Sequence, residues 1–389
     1  MRVAFIGQKG IPAKFGGVER HVEELASEIA KNGHEVFVYV RNNYTDKKID
    51  QYRGVKLIHL PSITTKNLDA ISHTFLASVH ALFQNYDVVH YQAIGPSMLS
   101  WIVKLLKRKT TVVSTFHCQD YYHQKWGWFA KKMLLAGEWM SCNIPDKTIV
   151  VSKSLGEYAR EKYEIEPETI YNGTRTEETF DWSTLEKWNL QKNKYVIYVG
   201  RLIKHKGVHY LIEAFKKLVR EKRIPQDFKL VITGDGFYTD DYVSELKELA
   251  KGNENIIFTG NLEGLELRSV FAGAHLFVQP SESEGLSIAI LEAMSYGVPI
   301  LASDIKENTD VVEDIGEIFK TNDVADLKEK LAKMINEEIG VNPNIEAAKK
   351  MVKVKYNWES ISQKTISLYI RLLCEKKIKL TQCSDAKEV

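Results

Sequence analysis

Short apolar runs alternate with stretches of helical period along nearly the whole chain, and the alternation runs through twice. Val3–Ile6 reads as a buried strand. Gly17–Asn32 has the helical period, with Val18, Val22, Leu25, Ile29 and Ala30 on one side and Gly33 as its terminator. Glu35–Val40, Val55–Leu60, Val88–Tyr91 and Thr111–Phe116 continue as strands, and Ile149–Ser152 closes the series. The pattern restarts at Tyr195–Val199. Val208–Arg220 is helical; Phe228–Thr233, Ile256–Thr259, His275–Gln279 and Pro299–Ser303 are strands. Strands interleaved with helices predict an α/β chain with parallel, doubly wound sheets. Two Rossmann-like domains follow, at 1–173 and 195–355, with a polar, turn-rich linker over 174–194 and a C-terminal helix over 356–375. The charged residues from about Glu375 onward are expected to lack order.

The richest segment is Pro280-Ser-Glu-Ser-Glu-Gly-Leu-Ser-Ile-Ala-Ile-Leu-Glu-Ala-Met-Ser-Tyr-Gly-Val-Pro299. Ser287 is placed to cap a short helix, Gly297 to end it in the left-handed conformation, and Pro299 lies just beyond. Glu284 precedes that helix and Glu292 lies inside it. Between them Gly285, Leu286 and Ser287 present backbone N–H groups at a helix N-terminus, where an anion binds well. Two carboxylates around an anion-binding turn can hold a phosphorylated sugar at two places.

The loop after the first strand, Gly7 to Gly17, is not a G-x-G-x-x-G turn, and the second strand ends at Arg41 rather than at an acidic residue. A nicotinamide dinucleotide site is therefore rejected. Gly16 and Gly17, opening a helix beyond the carboxyl end of a strand, suit a loop that closes on a phosphate or an acceptor sugar. Arg201 and Lys206 follow the strand Tyr195–Val199. Fixed cations there can stabilise the charge that builds on a departing diphosphate. Lys204 reads as a solvated loop residue. His117, after the strand Thr111–Phe116, can reach a donor-sugar hydroxyl or the phosphate, and Asp120 is a weaker candidate for the acceptor hydroxyl. His21, His90 and His209 read as ordinary helix, strand-end or packing residues. No Asp-x-Asp pair and no H-E-x-x-H occurs, so no bound catalytic metal is expected.

Composition narrows the partners. A chain of 389 residues exceeds one ordinary core, and 44% hydrophobic with 27% charged residues is an ordinary globular balance. A formal net charge of +2 gives no footprint for nucleic acid. Cys118, Cys142, Cys374 and Cys383 show neither metal nor disulfide spacing, which fits reduced thiols in the cytoplasm. The apolar start at Met1–Gly7 suits a strand rather than a leader, and no apolar run is long enough to span a bilayer.

Together these features resemble glycosyltransferase family 4, the retaining enzymes of GT-B architecture, over nearly the whole chain. The family's E-x7-E element matches Glu284 and Glu292, its phosphate cations Arg201 and Lys206, its glycine loop Gly16-Gly17 and its histidine His117. Ser287 departs from the pattern, where glycine is frequent. The segments Gly7–Gly17 and Lys125-Trp-Gly-Trp128 are similar to a subgroup that includes bacterial capsule rhamnosyltransferases. The resemblance implies two Rossmann-like domains facing a central cleft. It implies transfer from a nucleoside-diphosphate sugar, a co-substrate rather than a resident cofactor, to a glycan or lipid-linked acceptor of cell-surface polysaccharide synthesis. Glu292 would bind the ribose and Glu284 a sugar hydroxyl. Arg201, Lys206 and the amides of Gly285, Leu286 and Ser287 would hold the diphosphate. A glycosidase is disfavoured, because its two carboxylates should flank one bond.

The segment Lys125–Trp139 mixes tryptophans and lysines and has two readings: a helix on an anionic bilayer at the inner face of the membrane, or a helix packed into the first domain with Trp and Met as core. Lys107, Arg108 and Lys109 add positive charge nearby. Two other functional classes remain at this stage, a non-catalytic nucleotide-sugar-binding protein and a GT-B epimerase.

Overall fold

Along β1 (Arg2–Ile6), Val3 and Phe5 enter one hydrophobic core while Ala4 and Ile6 enter another. A strand buried on both faces needs a layer of helices on each side. The computed structural model describes residues 1–14, 16–65, 68–119, 127–176, 179–236, 239–337 and 343–385, and it divides into two units. Of the described residues, those up to Asn172 and again from Trp358 form the first unit, and those within Gly173–Asn357 form the second.

In the first unit β1 is followed by α1 (Gly17–Lys31), β2 (Glu35–Arg41), β3 (Gln51–Tyr52), β4 (Val55–Leu60), α2 (Asp69–Leu82) and β5 (Val88–Gln92). Then come α3 (Ile94–Ser97), α4 (Ser100–Leu106), β6 (Thr111–Phe116), α5 (Trp128–Asn143), β7 (Lys147–Val150), α6 (Lys153–Tyr163) and β8 (Glu168–Thr169). The strand order is β3-β4-β2-β1-β5-β6-β7-β8, parallel except for the β3–β4 pair.

The second unit contains β9 (Tyr195–Val199), α7 (Val208–Arg220), β10 (Lys229–Thr233), α8 (Asp240–Ala250), β11 (Ile256–Gly260), α9 (Gly264–Ala272) and β12 (Leu276–Gln279). It continues with α10 (Ile288–Tyr296), β13 (Ile300–Ser303), α11 (Lys306–Val312), β14 (Glu317–Phe319), α12 (Val324–Asn336) and α13 (Pro343–Lys355). Its sheet, β11-β10-β9-β12-β13-β14, is parallel throughout. Both sheets reverse direction at one place, at β1/β5 and at β9/β12. There the loops leaving the carboxyl ends diverge, and such switch points are where open α/β sheets take ligands.

The last helix, α14 (Trp358–Asp385), returns to the first unit and lies against α1. Tyr369 Oη is 2.7 Å from Nδ1 of the buried His90. Apolar Ile361, Leu368, Tyr369 and Leu372 extend the core on that side of the sheet.

Three expectations change. Residues 174–194 are part of the second unit, and Trp182–Trp188 forms a 3-10 helix. The Asp181 amide donates to Ser269 Oγ at 2.8 Å and the Asn193 amide to Gly273 O at 2.8 Å, which seats this segment against α9. The helix expected to stop near 375 runs to Asp385, since nothing before it breaks the helical backbone. The short strands β3, β8 and β14 carry too few apolar residues to be read as strands; their neighbours in the ladder create them.

Candidate active site

At the switch point of the second unit the structure joins two of the sequence candidates, Lys206 and Glu284. Glu284 follows β12 and is 8% exposed. Its Oε1 accepts from Lys206 Nζ at 2.5 Å, Gln279 Nε2 at 2.6 Å and Ser281 Oγ at 2.7 Å. A buried charge persists only with such partners. Gln279 is the last residue of β12, and Ser287 Oγ donates to Gln279 Oε1 at 3.3 Å, so the strand end and the helix start share one network.

Lys206 reaches Glu284 because Gly207 lets two backbones touch. Gly207 has φ +68°, and a Cβ there would stand 1.9 Å from Pro280 O. The Glu282 amide donates to His205 O at 2.7 Å and locks the same approach. Arg201 leaves the end of β9, the neighbour of β12. Tyr198 lies beneath this edge, fully buried. Burial raises its phenol, the negative charge of Glu284 adds to the rise, and Arg201 opposes it. Lys206 and Glu284 were expected as separate phosphate and sugar groups, yet they form an ion pair.

The helix after this loop forms as its sequence predicts. Ser287 Oγ caps α10 by accepting from the Ile290 amide, and Gly297 ends it at φ +73°. Glu292 lies within α10, partly exposed.

A further carboxylate escaped the sequence reading. Ser281 O accepts from Ser303 Oγ at 2.5 Å, and Asn308 Nδ2 donates to Ser303 Oγ at 3.0 Å. This buried chain ties α11 to the Glu284 loop. Beside Asn308, the Glu307 carboxyl is pushed above the usual range by burial, with the charge of Glu284 adding to the shift. Only its place in space reveals Glu307.

Two family models tile the chain: "Glycosyl transferases group 1" matches residues 181–358 and "Glycosyltransferase Family 4" matches 15–178. A GDP-mannose-dependent alpha-mannosyltransferase of Corynebacterium glutamicum is 25% identical, over 100% of this chain and 94% of its own length. The chain belongs to glycosyltransferase family 4. Its fold is that of solved GT-B enzymes. Sucrose-phosphate synthase from Thermosynechococcus elongatus superposes with a TM-score of 0.81 at 19% identity, covering 96% of this chain and 99% of that one. HepE from Anabaena, solved with UDP and glucose, gives 0.76 at 18% identity, covering 95% and 99%.

In the first unit of this glycosyltransferase, Gly16 opens α1 at φ +100°, where a Cβ would stand 2.1 Å from Glu19 Oε2. A Cβ on Gly17 would meet nothing within 4 Å. Glu19 and Glu23 serve the loop itself. Glu19 Oε1 accepts from the Lys9 amide at 3.2 Å and Glu23 Oε2 from the Ala13 amide at 2.6 Å. His117 lies just beyond β6, buried, and its ring meets His21 of α1. The glycine loop and His117 are therefore neighbours within this unit. His21, read from sequence as an ordinary helix or packing residue, and Gln92, not singled out at all, both touch His117. Asp120 lies outside the described residues. Among the described residues no group of three or more His, Cys, Asp or Glu side chains could hold a metal ion. No described helix is long and apolar enough to cross a membrane.

The raised Glu307 carboxyl carries a signed prediction. A folded-state value above the unfolded one favours the protonated form, so its contribution is full below the usual glutamate value of about 4.3 and fades as pH rises through the folded value. Glu307→Gln should therefore raise the melting temperature more at neutral pH than at about pH 4. A melting-temperature difference independent of pH in thermal-shift scans would refute the assignment.

Proposed function

We propose that this enzyme moves a sugar from a nucleoside-diphosphate donor to a glycan or lipid-linked acceptor in cell-surface polysaccharide synthesis, with retention at the anomeric carbon. The reading rests on the Lys206–Glu284 pair at the β9/β12 switch point, next to Arg201 and the amides of Gly285, Leu286 and Ser287. The names of the mannosyltransferase and of the UDP-bound HepE structure support a nucleotide-sugar donor.

Lys206 and Arg201 take the diphosphate, and Lys206 trades part of its contact with Glu284 for a phosphate oxygen. Glu284 then accepts from a hydroxyl of the donor sugar. Glu292 holds the ribose hydroxyls, and His117 hydrogen-bonds the donor. The loop at Gly16 and Gly17 closes on the phosphate or the acceptor sugar, since Gly17 leaves open space. The bond from the anomeric carbon to the phosphate oxygen breaks, and its electrons leave on the diphosphate. The acceptor oxygen bonds to that carbon on the same face and passes its proton to the departing phosphate. Fixed cations do the neutralising, so the step needs no metal.

We assign the enzyme to the cytoplasm, at the inner face of a membrane. None of Cys118, Cys142 and Cys374 forms a disulfide. The first unit exposes several large apolar side chains on α2, α4 and α5 and just after α2. Phe83 is 80% exposed, Leu106 67% and Trp128 71%, with Phe75, Trp101, Leu105, Met133 and Trp139 also outward. The tryptophans and Met133 of α5 are thus not core. Buried Glu138 turns them outward by accepting from Tyr158 Oη at 2.7 Å and Lys162 Nζ at 3.0 Å of α6. Arg108, Lys109, Lys131 and Lys132 are exposed on the same helices and the loop after α4. Aromatic and basic side chains together suit an anionic bilayer. Lys125 and Trp126 lie outside the described residues.

Turnover of a panel of nucleoside-diphosphate sugars, with the product's anomeric configuration read by NMR, tests the reading; an inverted product excludes retention. Lys206→Ala should lower kcat about 100-fold while donor affinity changes less, because the charge it meets grows in the transition state. Parental turnover in that variant would remove Lys206 from the chemistry. Glu292→Ala should weaken free nucleoside diphosphate about tenfold by calorimetry, and unchanged affinity would deny it the ribose. The protein should float with phosphatidylglycerol vesicles and not with phosphatidylcholine vesicles, an affinity lost at high salt. Failure to bind the anionic vesicles at low salt would contradict the membrane assignment.

A further inference from the structure

The turn that leaves β9 carries Arg201 and Lys206, yet little of it is regular. Residues 200–203 are neither strand nor helix, and Lys204–Lys206 is a single 3-10 turn. Such a stretch keeps one geometry only where other elements pin it. Two hydroxyls do so. Tyr198, wholly buried in β9, donates its Oη to Arg201 O at 3.0 Å. A carbonyl only accepts, and burial holds the phenol protonated, so the direction of this bond is fixed. The Ile203 amide donates to the same oxygen at 3.1 Å. Both lone pairs of Arg201 O are thus used.

The second hydroxyl comes from Thr239, at the start of α8. A threonine at this position ordinarily caps its own helix. Here the side chain makes no capping bond, and Oγ1 donates instead to Leu202 O at 2.9 Å, 37 positions away in the sequence. The Leu202 amide donates to Asp235 O at 3.0 Å, so both backbone groups of Leu202 are held by the segment between β10 and α8. Gly234 allows that approach. It has φ +129°, and a Cβ there would stand 1.9 Å from Gly200 O.

We propose that Tyr198 and Thr239 are positioning residues, whose hydroxyls hold the consecutive carbonyls of Arg201 and Leu202 and so aim the Arg201 guanidinium at the donor's diphosphate. The proposal rests on the reading of Arg201 as a diphosphate cation. A guanidinium binds phosphate through N–H groups of fixed direction, so the set of the peptide that carries it decides how well it binds. Both hydroxyls act through the backbone and leave the charge of the site as it is.

Calorimetry of the full chain with UDP, GDP, ADP, CDP and dTDP selects the tightest nucleoside diphosphate as the probe. Tyr198→Phe and Thr239→Val each remove one hydroxyl at nearly constant shape. Each should weaken the probe about fivefold, the scale of one neutral hydrogen bond. Thr239→Ser keeps the hydroxyl and should bind as the parent does. Arg201→Ala should weaken the probe by about tenfold or more. In that background neither Tyr198→Phe nor Thr239→Val should cost anything further, because the group they aim is gone. Losses that add in full to that of Arg201→Ala overturn the positioning role, as does parental affinity in both hydroxyl variants. A Thr239→Ser variant as weak as Thr239→Val removes Thr239 from it. Parental affinity in Arg201→Ala, or binding of none of the five diphosphates, rejects instead the reading of Arg201 on which the proposal stands. If one hydroxyl variant does not fold, the other decides.

Discussion

A carboxylate removed from water must keep its charge with hydrogen bonds and a cation, or lose it, and Glu284 has both kinds of partner. Three donors converge on one of its oxygens, from the end of β12, the loop beyond it and the turn before α7. The rest of the second unit serves that convergence. The parallel pairing of β9 and β12 sets their carboxyl ends side by side. Gly207 removes the side chain that would push the lysine turn away from Pro280. Isolated buried ion pairs stabilise a fold weakly. This one sits at the switch point of the second unit.

The first unit handles polarity differently. Its buried imidazoles face side-chain amides: Gln92 on His117, Asn172 on His21. The charged residues near the glycine loop, Glu19 and Glu23, each give one oxygen to a loop amide. One unit thus concentrates charge at its site and the other concentrates direction.

Hydroxyl and amide side chains extend the Glu284 network sideways. Ser281, Ser303 and Asn308 form a buried relay from β12 across β13 to α11, and Glu307 stands at its end. Placing a second carboxyl where the first already stands raises its affinity for a proton, and burial does most of that work. The electrostatics of this corner therefore belong to the assembled loops rather than to any one of them.

What the chain declares by itself is local. Strand after strand was legible because continuous apolar runs between helices demand burial on both faces, as Val3 to Ile6 show. The cap at Ser287 and the left-handed stop at Gly297 were legible because each depends on backbone groups a few residues away. Glu284, Glu292, Arg201 and Lys206 were legible as residue types at strand ends and helix starts. Their mutual distances were not, and Lys206 and Glu284 turned out to be bonded across 78 residues of chain. Gln92, His21 and Glu307 were missed because a lone glutamine, histidine or glutamate carries no pattern. Their roles come from neighbours 25, 96 and 23 positions away in the sequence, at His117 for the first two and Glu284 for the third. Periodicity and capping act through neighbouring peptides, so the sequence alone determines them. The partner of a buried polar group is chosen by strand order and loop approach, which exist only once the chain has folded.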